Sequence, residues 1–197
     1  MNFIGFYNKS VWLTFLGMAL SIAGIAYISD IKIAMLCLIG AGICDLFDGF
    51  IARKIKRTDK EKEYGVQLDS LVDVVSFLVF PSVFFISINH SVAGVLIAVL
   101  YMFCGITRLA WFNITTFEDN KTFTGVPVTY IALLLPLYSL SHVYGAFNYY
   151  KECLCGIYVI MAILFISNIK IKKPRGVWYG IFSLIAIGSA VLYFLSY

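Results

Sequence analysis

Four aspartates lie in two stretches of sequence that are otherwise strongly apolar. Asp45 and Asp48 belong to the first stretch, and Asp69 and Asp73 belong to the second. Spacings of three and four residues put each pair on one face of a helix. Carboxylate oxygens, without histidine or cysteine, suit hard divalent cations such as Mg²⁺, Mn²⁺ or Ca²⁺. Four carboxylates could hold two such ions ~3.5–4 Å apart, an arrangement that serves displacement at phosphorus.

The composition of the chain indicates that these carboxylates lie within a membrane. Of the 197 residues, 61% are apolar and 13% are charged, against roughly 45–50% and about 25% in soluble proteins. Apolar runs recur from end to end, which predicts an all-α polytopic membrane protein. The net charge of +4 comes from short basic clusters and does not indicate a nucleic-acid partner.

Seven segments are long enough to span the ~30 Å hydrocarbon layer, which takes about 20 helical residues. They lie at approximately 11–28, 32–53, 65–88, 91–113, 125–145, 152–171 and 176–196. No repeat or flexible linker interrupts them, so residues 1–197 are expected to form a single domain. The chain is therefore predicted to be a multi-pass integral membrane protein surrounded by membrane lipids.

The distribution of basic residues predicts the orientation. With a cytoplasmic N-terminus, twelve of the 15 basic residues lie on the cytoplasmic side. They are Lys9, Lys121 and the basic residues at 53–62 and 170–175. The outer side receives Lys32 and Lys151, as the positive-inside rule requires. In a prokaryote this membrane would be the cell membrane.

The two aspartate-bearing segments form an antiparallel hairpin around the polar stretch Lys54–Tyr64. Counted inward from that stretch, Asp48 and Asp69 lie about 6–8 Å deep. By the same measure, Asp45 and Asp73 lie about 12 Å deep. Because a central aspartate costs about 2.5–3.5 kcal/mol in a spanning helix, such groups are expected to face a cavity, a metal or each other. The spacing predicts two matched levels of carboxylates that open toward the cytoplasm.

Small residues accompany the first aspartate pair. Gly42, Gly49 and Ala52 fall on the same helical face as Asp45. At Gly42, close packing between helices explains a small residue as well as a binding site does. Gly49 and Ala52, beside the aspartates, are interpreted as leaving room for a ligand. Arg53, at the mouth of the hairpin, could pair with a phosphate.

These residues resemble the signature of the CDP-alcohol phosphotransferase family, D-x2-D-G-x2-A-R followed by G-x3-D-x3-D. The sequence reads DLFDGFIAR and then GVQLDSLVD, within residues 45–73. Every fixed position is present: Asp45, Asp48, Gly49, Ala52, Arg53, Gly65, Asp69 and Asp73. The spacer at 54–64 is longer than is usual in the family. We expect its extra residues to lengthen the polar loop without displacing the site.

The resemblance implies a six-helix core with one extra C-terminal helix, two bound divalent cations, Mg²⁺ or Mn²⁺, and often a homodimer. Ca²⁺ would act as an inhibitor or a substitute. Carried over by position, the metal ligands would be Asp45, Asp48, Asp69 and Asp73. Asp73 would also be the general base. The CDP site would comprise Asp45, Asp48, Gly49, Ala52, Arg53 and the first-helix Thr14, although a threonine within a helix can equally bond its own backbone.

Two further stretches bear on the acceptor of the transferred group. RLAWFN at Arg108–Asn113 and FTGVPVTY at Phe123–Tyr130 resemble elements of the phosphatidylserine synthase branch. Arg108 lies inside the fourth segment, where it is either a snorkelling interfacial residue or a clamp for the single carboxylate of serine. Asn113 either orients the acceptor or caps the helix. Lys121 and Lys170 could reach in from loops to serve a more highly charged acceptor.

The resemblance therefore implies a transferase that passes the phosphatidyl group of CDP-diacylglycerol to L-serine and releases CMP. Synthases for phosphatidylglycerophosphate or phosphatidylinositol phosphate are the alternatives within the family. Outside it, intramembrane carboxylates could mark the path of a divalent-cation or proton-coupled transporter. The clustering of the aspartates in one hairpin and the absence of an inverted repeat disfavour a transporter. A non-catalytic CDP-lipid-binding or scaffold protein would tolerate loss of Asp73, which is present.

Overall fold

The computed structural model describes residues 4–115, 122–145, 149–172 and 177–196. Within these ranges there are seven helices: α1 Lys9–Ala26, α2 Ile31–Lys54, α3 Asp59–Ile88, α4 Val92–Thr115, α5 Ile131–Val143, α6 Tyr150–Ile166 and α7 Val177–Leu195. Of the basic residues used to predict orientation, Lys121, Lys173 and Arg175 lie outside the described part of the chain.

The predicted helical membrane architecture is confirmed. Helices α1 to α4 are each long and apolar enough to span a membrane, which makes the protein integral to one. Three further helices, α5, α6 and α7, follow the predicted fifth, sixth and seventh segments. They have 13, 17 and 19 residues, so α5 and α6 are shorter than any of the first four helices.

The hairpin between α2 and α3 is tighter than the sequence predicted. Residues 54–64 were expected to form a polar loop, but α3 already begins at Asp59. Thr58 caps its N-terminus in a reciprocal capping box with Glu61, which satisfies backbone N–H groups of the first turn. Only residues 55–58 link the two helices. The longer spacer therefore extends α3 at its exposed end.

The middle of α3 departs from regular α-helical geometry. Val74–Val79 forms a π-helical turn, in which the backbone N–H of Phe80 bonds to the carbonyl of Val75. Pro81 follows and cannot donate to the carbonyl of Phe77, four residues earlier. The buried hydroxyl of Tyr101 on α4 donates to that carbonyl at 2.7 Å. An orphaned acceptor in the bundle interior, where water is absent, is thereby satisfied.

A short β-ribbon departs from the predicted all-helical pattern. Strand β1, Thr122–Thr124, pairs antiparallel with β2, Lys170–Lys172. Residues 125–130 and 167–169, assigned to spanning segments from sequence, therefore lie outside helices α5 and α6. The backbone N–H groups of Gly125 and Val126 extend the connection by bonding to Ile169 and Leu164. The connection after α4 is thus tied to the connection after α6.

Helix α7 is fastened to the bundle along its C-terminal half. The buried hydroxyl of Tyr193 donates to the carbonyl of Pro136 on α5 at 2.7 Å. The hydroxyl of Tyr144 donates to the carbonyl of Leu192 at 3.1 Å. The ammonium of Lys32 at the start of α2 donates to the carbonyl of Ser196. These contacts place α7 against α2 and α5.

The Tyr101 hydroxyl should contribute measurably to stability. Tyr101→Phe keeps the buried ring but leaves the carbonyl of Phe77 unsatisfied, which should cost about 1 kcal/mol of unfolding free energy. Unfolding midpoints in detergent should fall for this variant. Tyr27→Phe, on a side chain that is 59% exposed, is the control and should leave the midpoint unchanged. Equal midpoints for both variants would contradict the assigned role.

Candidate functional site

A cavity of about 190 Å³ lies between α2, α3, α4, α5 and α7. The charged residues in its wall are Asp45, Asp48, Arg53, Asp69, Asp73 and Arg108. The polar and aromatic ones are Phe112, Thr129, Tyr130, Tyr179 and Phe182. Most of the charged residues singled out from sequence therefore converge on one space.

Three of the four predicted metal ligands form a compact group. One carboxylate oxygen from each of Asp45, Asp48 and Asp69 lies within 4.8 Å of the others. Oxygen ligands at about 2.0–2.6 Å from one ion would be separated by distances of this order. The donor set contains only carboxylates, which hard divalent cations prefer. The geometry of these residues therefore fits a cation.

Asp73, the fourth predicted ligand, lies next to this group on α3. Its side chain is only 7% exposed and lines the same cavity. It is one helical turn beyond Asp69, immediately before the π-helical turn of α3. Insertions of this kind are frequent at functional sites. The structure thus brings all four predicted carboxylates to one cavity.

Thr14 on α1 contacts the carboxylate group directly. Its hydroxyl donates to a carboxylate oxygen of Asp48 at 2.5 Å, and the backbone carbonyl of Ser10, at 3.1 Å, is the alternative acceptor of the same hydrogen. The threonine therefore lies within hydrogen-bonding distance of both the carboxylate group and its own helix backbone. A second, much smaller cavity of about 10 Å³ separates α1 from the back of the same carboxylates, beside Ser76.

The small residues of α2 have different surroundings. A Cβ atom on Gly42 would approach the Cβ of Ala132 to 2.7 Å, so this glycine permits close packing of α2 on α5. A Cβ on Gly49 would meet only the guanidinium of Arg53, at 3.9 Å, so this glycine leaves space in the cavity. Ala52 is half-buried and is not part of the cavity wall.

Arg108 forms another wall of the cavity and is 7% exposed. A snorkelling arginine would place its guanidinium at the membrane surface, which this burial rules out. Its guanidinium carbon lies 5.1 Å from the centre of the Phe112 ring. Thr129 and Tyr130 contribute hydroxyl groups to the same wall. This end of the cavity can bind an anionic group.

Gly125 positions the segment that carries Thr129 and Tyr130. Its φ of +74° is rarely adopted by other residues, and a Cβ would lie 2.3 Å from the carbonyl oxygen of Phe165. The glycine and proline of FTGVP, noted from sequence, thus shape a crossing between two backbone segments. Sequence reasoning did not identify Thr129 and Tyr130 as site residues, because the direction of their side chains depends on how these two backbone segments cross.

Asn113 does not line the cavity. Its side-chain oxygen accepts a 2.7 Å bond from Ser70, and its amide donates to Gln67 at 3.2 Å. Asn113 therefore joins α4 to the back of α3, on either side of Asp69. Lys170 is exposed on β2 and also does not line the cavity, while Lys121 lies outside the described residues.

Sequence reasoning missed the contribution of α7. Tyr179, Phe182 and Ala186 on this helix line the cavity at spacings of three and four residues. They form one helical face, which the apolar composition of the segment concealed. The ring of Phe182 lies 5.6 Å from that of Tyr130. The three-residue spacing of Tyr179 and Phe182 could have indicated this face, although aromatic pairs at this spacing also occur in ordinary helix packing.

Comparison with known proteins gives a consistent result. Residues 7–167 match the model of the CDP-alcohol phosphatidyltransferase family. The chain is 35% identical over 164 residues to a CDP-diacylglycerol–serine O-phosphatidyltransferase of Helicobacter pylori strain J99, covering 79% of this chain and 66% of that relative. It is 31% identical over 165 residues to an archaetidylserine synthase of Methanothermobacter thermautotrophicus, covering 82% and 65%.

A CDP-diacylglycerol–serine O-phosphatidyltransferase of Bacillus subtilis is 34% identical over 122 residues, covering 57% of this chain and 63% of the relative. The chain thus spans slightly less than two thirds of the length of these relatives. The family match nevertheless extends through α1 to α6, including the hairpin that carries all four aspartates. The chain therefore belongs to the CDP-alcohol phosphatidyltransferase family.

Proposed function

We propose that this protein transfers the phosphatidyl group of CDP-diacylglycerol to the hydroxyl of L-serine, giving phosphatidylserine and CMP. The observation that carries the proposal is a single cavity whose wall contains both a compact carboxylate group and a buried arginine. The names of the relatives support the same donor and acceptor.

The carboxylates of Asp45, Asp48 and Asp69 would hold a divalent cation, and Asp73 would help to hold a second. Mg²⁺ or Mn²⁺ is proposed, with Ca²⁺ as an inhibitor or substitute. Such ions stabilise negative charge on a phosphoryl group. Thr14 fixes the orientation of Asp48 through its 2.5 Å hydrogen bond.

The CDP moiety would bind along α2. Gly49 leaves space for it, and the exposed guanidinium of Arg53 at the mouth can bind a phosphate oxygen. Asp45 and Asp48 would contact the nucleotide from the same helix, together with Thr14. Ala52 would leave room beside the nucleotide, although it is not part of the cavity wall.

Asp73 would act as the general base. In this step its carboxylate accepts the proton of the serine hydroxyl, the serine oxygen bonds to the phosphorus of the phosphatidyl group, and the bond from that phosphorus to the oxygen of CMP breaks. Burial of Asp73 among Asp45, Asp69 and Arg108 keeps the proton transfer away from bulk water.

Arg108 would clamp the carboxylate of serine within the same cavity, whose wall also includes Thr129 and Tyr130. Among the described residues, Arg53 and Arg108 are the cationic side chains of the cavity. A phosphorylated acceptor with about two negative charges would require more positive charge near Arg108, so the charge balance favours serine. Asn113, predicted to orient the acceptor, would act indirectly by holding α3 against α4.

We propose that residues 1–197 form one domain, that the protein is a homodimer, and that the N-terminus and the cavity mouth are cytoplasmic. The homodimer rests on the family resemblance. A measured protein mass in detergent equal to that of one chain, 22.1 kDa, would contradict it. The orientation rests on the positive-inside rule.

Cys153 offers a direct test of orientation. It is exposed at the start of α6, which the proposed topology places on the outer side. A membrane-impermeant maleimide should label it in intact cells, and the Cys153→Ser variant should lose the label. Labelling only after the membrane is permeabilised would reverse the orientation.

The proposed reaction predicts acceptor-dependent release of CMP. Purified protein with CDP-diacylglycerol and Mn²⁺ or Mg²⁺ should release CMP when L-serine is added. A chelator of divalent cations should abolish the release. Parallel reactions should contain glycerol 3-phosphate or inositol 1-phosphate. CMP release only with a phosphorylated acceptor would overturn the assignment of serine as the acceptor. No CMP release with any acceptor would overturn the proposal that the protein is a phosphatidyltransferase.

The general-base role predicts a separation between binding and turnover. Asp73→Asn should lower kcat by about 100-fold or more, because the amide cannot accept the proton, while binding of CDP-diacylglycerol is largely retained. Asp59→Asn is a matched control on the same helix, since Asp59 is 92% exposed and pairs with Lys62. Turnover of the Asp73 variant near that of the control would refute the role.

A further inference from the structure

Helix α7 lies beyond the residues that match the family model, which end at 167. Its inward face nevertheless forms part of the cavity wall through Tyr179, Phe182 and Ala186. Tyr179 lies nearest the mouth, where it contacts Arg53 of α2. A residue outside the family module thus touches the arginine proposed to bind the CDP phosphates.

Two kinds of contact hold Arg53 and Tyr179 together. A terminal nitrogen of the guanidinium donates a 2.5 Å hydrogen bond to the Tyr179 hydroxyl oxygen. The guanidinium carbon also lies 5.6 Å from the centre of the Tyr179 ring, within the range of a cation–π interaction. The ring of Phe50 lies 6.1 Å from that of Tyr179 at an angle of 56°. Tyr179 of α7 therefore holds the guanidinium of Arg53, a residue of α2, at the cavity mouth.

The direction of this hydrogen bond determines what the tyrosine can still do. A phenolic hydroxyl has one hydrogen to donate and also accepts hydrogen bonds. Here its oxygen accepts from Arg53, so its own hydrogen remains available. Within residues 4–115, 122–145, 149–172 and 177–196, no side chain or carbonyl accepts that hydrogen. The hydroxyl and the remaining N–H groups of Arg53 form neighbouring donors suited to an anion such as a phosphate.

Several contacts other than the Tyr179 hydroxyl attach α7 to the bundle. Tyr193, Tyr144 and Lys32 already fix the C-terminal half of the helix through separate hydrogen bonds. Packing of Phe182 on Tyr130 adds a contact deeper in the cavity. If the Tyr179 hydroxyl had only a structural role, it would be one of several contacts that attach α7 to the bundle. Its removal would then have no specific effect on substrate binding.

We propose that Tyr179 is a further donor-binding residue, which positions the guanidinium of Arg53 and donates its own hydroxyl hydrogen to a phosphate oxygen of the CDP-linked lipid. This inference rests on the proposed function for the identity of the anion. It extends the donor site from the α2–α3 hairpin to the C-terminal helix.

The Tyr179→Phe variant tests this inference, because it keeps the ring against Arg53 and Phe50 and removes only the hydroxyl. Binding of CDP-diacylglycerol in nanodiscs with Mn²⁺, measured without any acceptor, should weaken about tenfold, as expected for the loss of a hydrogen bond to a charged group. The KM for CDP-diacylglycerol should rise in parallel, and the KM for serine should remain unchanged.

Tyr144→Phe is the matched control, since it removes another tyrosine hydroxyl that bonds to α7 but does not line the cavity. It should bind CDP-diacylglycerol as tightly as the unmodified protein. Equal weakening by both variants would mean that loosening of α7 is responsible, and would overturn the inference. Binding by Tyr179→Phe equal to that of the unmodified protein would overturn it as well.

A double variant tests whether Tyr179 acts through Arg53. If the two side chains bind one phosphate together, the losses from Arg53→Lys and Tyr179→Phe should be less than multiplicative in the double variant. Fully multiplicative losses would contradict the positioning of Arg53. If the unmodified protein binds CDP-diacylglycerol but releases no CMP with serine, only the proposed acceptor fails. If it does not bind CDP-diacylglycerol, both proposals fail.

Discussion

Carboxylates that face one another inside an apolar bundle repel, and the low-dielectric surroundings screen them weakly. Their convergence is the constraint on which the rest of this structure depends. Asp45, Asp48 and Asp69 meet because a four-residue link holds α2 and α3 antiparallel. Around them the protein has the features that such a cluster requires: a cavity open to a charged ligand, a nearby arginine, and the hydroxyl of Thr14, which donates to Asp48. A donor set with this chemistry becomes electrostatically balanced when it binds cations.

Three buried tyrosines donate hydrogen bonds to backbone carbonyls near prolines. Tyr101 donates to the carbonyl of Phe77, which Pro81 cannot serve as a donor. Tyr158 and Tyr193 donate to the carbonyls of Pro81 and Pro136 themselves. A tyrosine combines a large apolar ring with a single polar tip, so it can reach a buried carbonyl without bringing in water. The irregular turn after Asp73 is thereby stabilised from neighbouring helices.

The parts of the site that were predictable from sequence are those set by local spacing. The i, i+3 and i, i+4 aspartates gave the hairpin and the carboxylate cluster, and Arg108 stood out as a charge within an apolar run. The start of α3 was also encoded locally, in the Thr58–Glu61 capping box, although the polar composition suggested a loop. The π-helical turn, the β-ribbon and the inward face of α7 depend on contacts between distant segments. The composition of an apolar helix does not reveal which of its aromatic residues face inward, and a periodic aromatic pair is equally compatible with ordinary packing.

The hydrogen bonds between α3 and α4 have a mechanical consequence. Asn113 hydrogen-bonds to the side chains of Gln67 and Ser70, which lie on either side of Asp69. Tyr101 hydrogen-bonds to the backbone carbonyl of Phe77 farther along α3. Gly105 lets α4 approach α3 closely, because a Cβ atom on Gly105 would lie only 2.3 Å from a side-chain carbon of Leu78. The two helices are thereby joined at several points along their length, and together they carry Asp69, Asp73 and Arg108. The separation between the carboxylate proposed as the general base and the guanidinium proposed to bind the acceptor is then set by the packing of α4 on α3.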